Sequence, residues 1–159
     1  MDSGLHLKRA ENELKLAEII FQLSKKPDIQ TKVFEVADPE TYYSSVINHA
    51  YYCTFYSAKA YLLKKGVEVS APEEHRKAFE EFKRLVDNGE LDVELLKIYQ
   101  TAIIRAGSLL GIFQAEKKKR GEFTYRTLPQ ANQEPAQESI ANAKIFFKNM
   151  YALCSQIKP

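Results

Sequence analysis

One histidine in this sequence lies where its imidazole could work as a general base. His49 stands in the segment SSVINHAYYCTFYSAKA, among small and aromatic residues. An imidazole titrates near neutral pH, which suits proton transfer. The alternative is a polar residue at a helix interface that has a hydrogen-bond partner. This alternative is favoured, because no serine or cysteine nucleophile with an ordered aspartate partner is evident.

A short basic run is the second candidate for chemistry. Residues 117–120 read KKKR, and Phe123, Tyr125 and Arg126 follow closely. Lysine and arginine neutralise phosphates, and aromatic rings stack on bases. The alternative is a solvated helix end whose cations satisfy its own carbonyl groups. The residues predicted to bind a nucleotide or RNA here are Lys118, Lys119, Arg120, Tyr125 and Arg126, with Arg120 and Tyr125 best placed where the chain leaves the helix.

Arg105 joins these candidates because it interrupts an otherwise apolar helical stripe. A buried guanidinium needs a carboxylate or carbonyl partner. Arg105 could instead face a dimer seam or a phosphate-binding groove, and both interpretations remain open.

His75 follows Glu73 and Glu74, which suggests a metal site, but the sequence has no second histidine four residues after His75. Packing of His75 between helices is favoured, and neither a metal nor a cofactor is predicted.

The strong enzyme motifs are absent from the sequence. It contains no glycine-rich phosphate loop, no CxxC, no HExxH and no GxSxG. Two cysteines, Cys53 and Cys154, are too few for a disulfide scaffold. No apolar run approaches the roughly 18 residues of a membrane span, and the first residues lack a signal-peptide core. A cytoplasmic, reducing setting is therefore expected, with no membrane association.

The elements that must position these residues are helices. Apolar side chains recur every three or four residues, and no alternating strand pattern is present. The 159 residues, 45% hydrophobic and 28% charged, suit one domain with a buried core. Asp38 and Pro39 are predicted to start the second helix, and Ser70 with Glu73 has the spacing of a capping box before the third. Three of the five predicted helices cover about residues 5–25, 38–66 and 92–119, and another follows residue 70. The last predicted helix has a buried stripe formed by Ile140, Ala143, Phe147, Met150, Cys154 and Ile157.

The second predicted helix is apolar on two sides, which places it at the centre of an up-and-down bundle of about five helices. The fourth also carries two stripes, one of which includes Arg105. Because a bundle of this size buries only part of that surface internally, a homodimer is expected.

Four segments together resemble the HEPN domain family, above all its small stand-alone prokaryotic members. These segments read INHAYYCTFYSAKAYLLKKG, EEHRKAFEEF, KKKRGEFTY and ESIANAKIFFKNM, and they extend from the second helix to the end. The family pattern corresponds to Tyr51, Tyr52, Cys53, Phe55, Ala58, Ala60, Leu62, Leu63 and Gly66, then His75, then Arg120 and Tyr125, and finally Ala143 and Phe146.

The resemblance implies a helical bundle that usually dimerises and binds a nucleotide or RNA. In many members it implies a metal-independent ribonuclease, and often a toxin–antitoxin pair with a small nucleotidyltransferase. The ribonuclease members carry an arginine, four to six residues and then a histidine, and this motif is absent here. We therefore expect a HEPN-like binding domain acting near Arg120. The alternatives are a ribonuclease that uses His49 or another unconventional base, and a bundle that only docks a partner such as a nucleotidyltransferase.

Overall fold

A computed structural model describes residues 2–110 and 133–158 of the chain. This part is 78% helical and contains no strand, which confirms the all-α prediction. It has one helix more than the five that the sequence predicts, because a short helix follows the first. The helices are α1 (Ser3–Ser24), α2 (Pro27–Lys32), α3 (Tyr43–Lys64), α4 (Glu74–Asp87), α5 (Val93–Leu110) and α6 (Gln133–Gln156).

Helix α3 is the centre of the bundle, and α1, α4, α5 and α6 all pack on it. Both of its predicted apolar faces are buried. Val46, Cys53 and Ala60 are fully excluded from solvent on one face. Tyr51 and Phe55 are 1% and 2% exposed on the other. Small side chains on the first face let neighbouring helix backbones approach closely, which explains how one helix can pack against four others.

The start of α3 differs from the prediction. The helix begins at Tyr43, four residues after Pro39, and its N-cap residue Tyr42 makes no side-chain capping bond. Gln30 of α2, 1% exposed, explains the difference. Its amide donates to the Glu40 carbonyl (2.8 Å) and its Oε1 accepts from the Glu40 amide (2.9 Å). These bonds hold the chain around Pro39 outside the helix, so tertiary contacts override the local capping signal.

The start of α4 is also later than predicted. Its N-cap is Glu73, in the left-handed conformation with φ of 59°, and not Ser70. A helix capped by Ser70 would need Ala71 in helical conformation. Pro72 disfavours that conformation in the preceding residue, because its ring clashes with the backbone there. The predicted capping box is therefore wrong.

Glycine ends α3 where the sequence predicts. Gly66 has a φ of +78°, which an L side chain rarely adopts. The Gly66 amide donates to the Leu63 carbonyl (3.0 Å), and the Val67 amide donates to the Leu62 carbonyl (2.9 Å). This pair of bonds is a Schellman motif, which satisfies the last carbonyl groups of a helix.

The buried stripe of α6 is centred on Phe146. Phe146 is fully buried, whereas Phe147, which the predicted stripe includes, is only half-buried. The Phe146 ring lies 5.3 Å from that of Phe82 and 5.7 Å from that of Tyr99. Ala143, Met150 and Cys154 are buried as predicted. The predicted extension of α5 to residue 119 lies outside the described residues.

Candidate functional site

The structure describes two of the residues that the sequence nominates, His49 and Arg105. The other five, Lys118, Lys119, Arg120, Tyr125 and Arg126, lie outside the described residues. The two described side chains are held by different pairs of helices. His49 joins α3 to α1, and Arg105 joins α5 to α6.

Arg105 has a carboxylate partner. Its Nη2 atom lies 2.5 Å from Oε2 of Glu138, and the Arg105 side chain is 25% exposed. A guanidinium on a mostly apolar stripe needs such a partner, because an uncompensated charge is costly to desolvate. The ion pair links α5 to α6.

His49 forms a close pair with Glu13. Nδ1 of His49 lies 2.6 Å from Oε2 of Glu13, and the two side chains are 30% and 13% exposed. With a hydrogen on Nδ1, the imidazole donates to the carboxylate and Nε2 becomes the acceptor. A carboxylate that holds a histidine in this tautomer is the arrangement that orients a general base. The predicted hydrogen-bond partner of His49 is therefore present, and the geometry also suits proton transfer.

Arg9 connects this pair to a group of aromatic rings. Its Nε lies 3.8 Å from Oε1 of Glu13, and its Cζ lies 4.8 Å from the centre of the Tyr56 ring. The Tyr56 ring stacks on those of Tyr52 and His6, each at 6.1 Å. Because the Arg9 side chain is 55% exposed, it presents a positive charge beside flat aromatic surface.

His75 packs α4 onto α3, as the favoured interpretation of the sequence has it. Its Nδ1 lies 2.7 Å from the Tyr51 hydroxyl, and its ring stacks on that of Phe55 at 4.2 Å. Burial lowers the pKa of His75, and the Lys59 ammonium also lowers it against the opposing effect of Glu74. The residues that the structure describes contain no group of three or more histidine, cysteine or acidic side chains able to hold a metal.

His6 is the third histidine on this side of α3. It is 6% exposed, and burial together with the nearby Lys59 ammonium lowers its pKa. Tyr52 and Tyr56 connect His6 to His75, since Tyr56 contacts His6, Tyr52 contacts His75 and the two tyrosine rings stack on each other. We call the surface formed by His6, Arg9, Glu13, His49, Tyr52, Tyr56 and His75 the histidine face.

Sequence reasoning missed the contribution of α1 to this face. His6, Arg9 and Glu13 follow one another at spacings of three and four, so they share one side of the helix. The spacing therefore indicates that the three side chains share one side of α1. It does not identify the helix that this side contacts, because the pairing of α1 with α3 depends on the whole bundle.

An all-α bundle around a central helix, with two long helices flanking it, defines the class of fold. The HEPN domain model matches residues 4–151. The chain therefore belongs to the HEPN domain family, and this membership supports a nucleotide- or RNA-related function in general. A search of curated proteins finds no matching relative. No helix within residues 2–110 and 133–158 is long and apolar enough to span a membrane.

Proposed function

We propose that this protein is a HEPN-type domain that binds RNA or nucleotide phosphates. The observation that carries the proposal is the exposed Arg9 guanidinium 4.8 Å from the Tyr56 ring, beside the His49–Glu13 pair. A cation next to flat aromatic surface suits a nucleic-acid strand, because it neutralises a phosphate while a ring stacks on a base.

The basic segment after α5 contributes the second part of the proposed interface. Lys118, Lys119 and Arg120 follow one another, so in a continuing helix their side chains would point about 100° apart. Arg120 is next to Gly121, and its planar guanidinium can donate two hydrogen bonds to one phosphate. Arg120 is therefore the proposed principal phosphate contact, and Tyr125 a neighbouring hydroxyl donor. Lys118, Lys119, Arg126 and Arg105 would add to the positive potential.

Titration with a labelled single-stranded RNA at two salt concentrations tests this proposal. Arg120→Ala should weaken binding by about 1–3 kcal/mol, the scale of a charge-assisted contact. Lys117→Ala is the matched control and should act mainly through salt-sensitive attraction. Equal losses would indicate a diffuse charged surface and contradict a specific site. No binding by the parent protein would favour the alternative in which the bundle docks a partner such as a nucleotidyltransferase.

A metal-independent ribonuclease is the second candidate function, and the His49–Glu13 geometry favours it. In this mechanism Nε2 of His49 takes the proton of a ribose 2′-hydroxyl. The 2′-oxygen then attacks the adjacent phosphorus, and the 5′-oxygen leaves with a proton from water. Glu13 holds the imidazole tautomer, and Arg9 stabilises charge that develops on the phosphate oxygens.

Turnover of single-stranded RNA in the presence of a metal chelator separates the two functions. A ribonuclease should release products with 2′,3′-cyclic phosphate ends, and His49→Ala should reduce the rate by about 100-fold or more. Lys83→Ala changes an exposed lysine on α4, away from the histidine face, and should leave the rate unchanged. Absence of turnover by the parent protein would leave binding as the function.

We also propose that the protein forms a homodimer. Large apolar side chains remain exposed on α1 and the segment after it, and these can be covered by a second copy. Sedimentation should show a dimer, and a monomer at every accessible concentration would contradict this. The exposed apolar residues in this region are Leu16 (42%), Ile19 (62%), Ile29 (38%), Val33 (65%) and Phe34 (61%).

A further inference from the structure

A groove of about 700 Å³ lies between α1 and α6, beside the last turn of α3. Away from the groove, an ion pair joins the two helices, with Oε1 of Glu18 at 2.9 Å from Nζ of Lys144. At the groove itself, Oγ of Ser3 lies 4.0 Å from Sγ of Cys154, so the helices run antiparallel. The groove follows α1 from Ser3 to Glu11, a length of about 12 Å at about 1.5 Å per helical residue.

The lining of the groove is partly apolar and open to solvent. Phe147 and Tyr151 of α6 line it with ring centres 5.9 Å apart, and Leu7 adds apolar surface from α1. The Tyr151 side chain is 55% exposed. Sites for small molecules enclose most of the ligand, whereas an open groove between two helices is typical of surfaces that bind a third helix.

The groove also has an excess of positive charge. Three helices each contribute one lysine to it, namely Lys8, Lys64 and Lys148, whereas Glu11 is its single acidic lining residue. Nζ of Lys8 lies 3.0 Å from Oε2 of Glu11. Within the described part of the chain, neither Lys64 nor Lys148 forms an ion pair. Two ammonium groups are therefore available to carboxylates of a partner, and such complementary charge favours a specific encounter.

We propose that this groove docks an acidic amphipathic helix of a partner protein. Apolar side chains at positions i, i+3 or i+4 and i+7 of a helix span about 10.5 Å, which matches the length of the groove. These side chains pack on Leu7, Phe147 and Tyr151. Aspartate or glutamate residues beside them pair with Lys64 and Lys148. Aromatic residues such as Tyr151 are typical of the positions that contribute most to binding between proteins.

A nucleic-acid strand fits the same lining less well. The rings of Phe147 and Tyr151 are inclined at 48° to each other, so they do not form parallel platforms for successive bases. None of the groove residues that the structure describes is an arginine, the side chain best suited to hold a phosphate through two hydrogen bonds.

The groove is separate from the histidine face. Lys8 and Glu11 line the groove, whereas Arg9 and Glu13 belong to the histidine face. Glu11 and Glu13 are two positions apart on α1, so their side chains point about 200° apart. Because the two surfaces use different sides of α1, this proposal does not depend on RNA binding.

Fluorescence anisotropy with a labelled peptide of about 18 residues, long enough to form a helix, tests the proposal. This acidic peptide has leucine along one side of the helix, glutamate beside the leucines and alanine elsewhere. One control peptide replaces every glutamate by lysine, and another keeps the composition but spreads the leucines around the helix. The parent protein should bind the acidic peptide and bind both controls at least tenfold more weakly, on the order of 1.4 kcal/mol.

Variants of the groove test which residues carry the binding. Tyr151→Ala should weaken binding of the acidic peptide about tenfold, through loss of an aromatic anchor. Lys148→Glu should also weaken it about tenfold, because an attraction becomes a repulsion. Lys83→Glu makes the same charge change on α4 and should bind as the parent does. Lys64→Glu/Lys148→Glu should prefer the lysine peptide, a reversal that a misfolded variant would not show.

Other occupants of the groove give different results. No binding of the acidic peptide by the parent at millimolar concentration, or equal binding of all three peptides, would overturn the proposal. A Lys64→Glu/Lys148→Glu variant that still prefers the acidic peptide would overturn the role of the lysines. Loss of self-association by this variant in sedimentation would assign the groove to an interface between two copies of the chain. Displacement of the acidic peptide by single-stranded RNA would assign it to the RNA path, and either result would overturn docking of a partner helix.

Discussion

Nδ1 of His49 and Oε2 of Glu13 lie 2.6 Å apart and join the central helix to α1. The two residues are 36 positions apart in sequence, so only the folded bundle brings them together. The contact has a structural role, because it ties two helices, and its proposed chemical role is to orient an imidazole. Both roles can be measured separately.

The structural role predicts an energetic coupling between His49 and Glu13. A double-mutant cycle of His49→Ala and Glu13→Ala should give a coupling of about 1 kcal/mol in urea unfolding, the upper part of the range for partly exposed pairs. The same cycle for Arg9 and Glu13 should give a smaller value, since their closest atoms are 3.8 Å apart and Arg9 is more exposed. Equal couplings, or none for His49, would contradict the contact.

Much of the fold could be predicted from the sequence, because helical periodicity reports directly which side of a helix is buried. The two faces of α3 illustrate this, since Val46, Cys53 and Ala60 on one face and Tyr51 and Phe55 on the other are all buried. The starts of α3 and α4 could not be predicted in the same way. The side chain of Gln30, on α2, forms hydrogen bonds with the backbone of Glu40 next to Pro39. A local capping pattern cannot predict this contact, because it involves a different helix.

The candidate site was less accessible to sequence reasoning. The sequence offers His49 as a candidate base and favours a polar interface residue with a hydrogen-bond partner, but it does not identify that partner, because Glu13 meets His49 only after α1 packs on α3. The same limit applies to Arg105, whose carboxylate partner Glu138 stands 33 residues away. Charge pairs between helices depend on how the two helices are rotated and shifted along their axes relative to each other. The pattern of apolar residues determines this rotation and this shift only loosely.

The neighbouring residues Phe146 and Phe147 should differ sharply in their effects on stability. Phe146 is fully buried against Phe82 and Tyr99, so Phe146→Ala should lower the free energy of unfolding by about 3–5 kcal/mol. Phe147 is only half-buried, so Phe147→Ala should cost clearly less. Urea unfolding of both variants checks this prediction. A larger loss for Phe147→Ala would mean that α6 is rotated by about one residue.

Cys53 should be inert to thiol reagents in the native protein. It is fully buried, and burial raises the pKa of its thiol to about 12. The thiolate is the reactive form, so both exclusion of reagent and the raised pKa suppress reaction. Mass spectrometry after exposure to iodoacetamide should find Cys53 unmodified at pH 8 until denaturant is added. Rapid modification under native conditions would contradict the packing of α3 against α6.

The stability of the protein should depend on pH near neutrality, mainly through His6 and His75. Burial lowers the pKa of both imidazoles in the folded protein, and the Lys59 ammonium acts in the same direction. The unfolded chain has the ordinary histidine pKa of about 6.5, so it binds more protons than the folded state below that pH. The stabilising contribution is therefore complete above about pH 6.5 and is lost as the pH falls through the lower folded-state values.

Urea unfolding at pH 7.5, 6.5 and 5.5 measures this effect before most carboxylates titrate. The free energy of unfolding of the parent protein should fall across this series. His75→Phe keeps a ring against Phe55 but removes a titrating group, so its stability should depend less steeply on pH. Its stability at pH 7.5 should also be lower, because the Tyr51 hydroxyl loses its partner. Lys83→Ala should reproduce the parent slope, and an unchanged slope in His75→Phe would show that His75 is not held neutral by the fold.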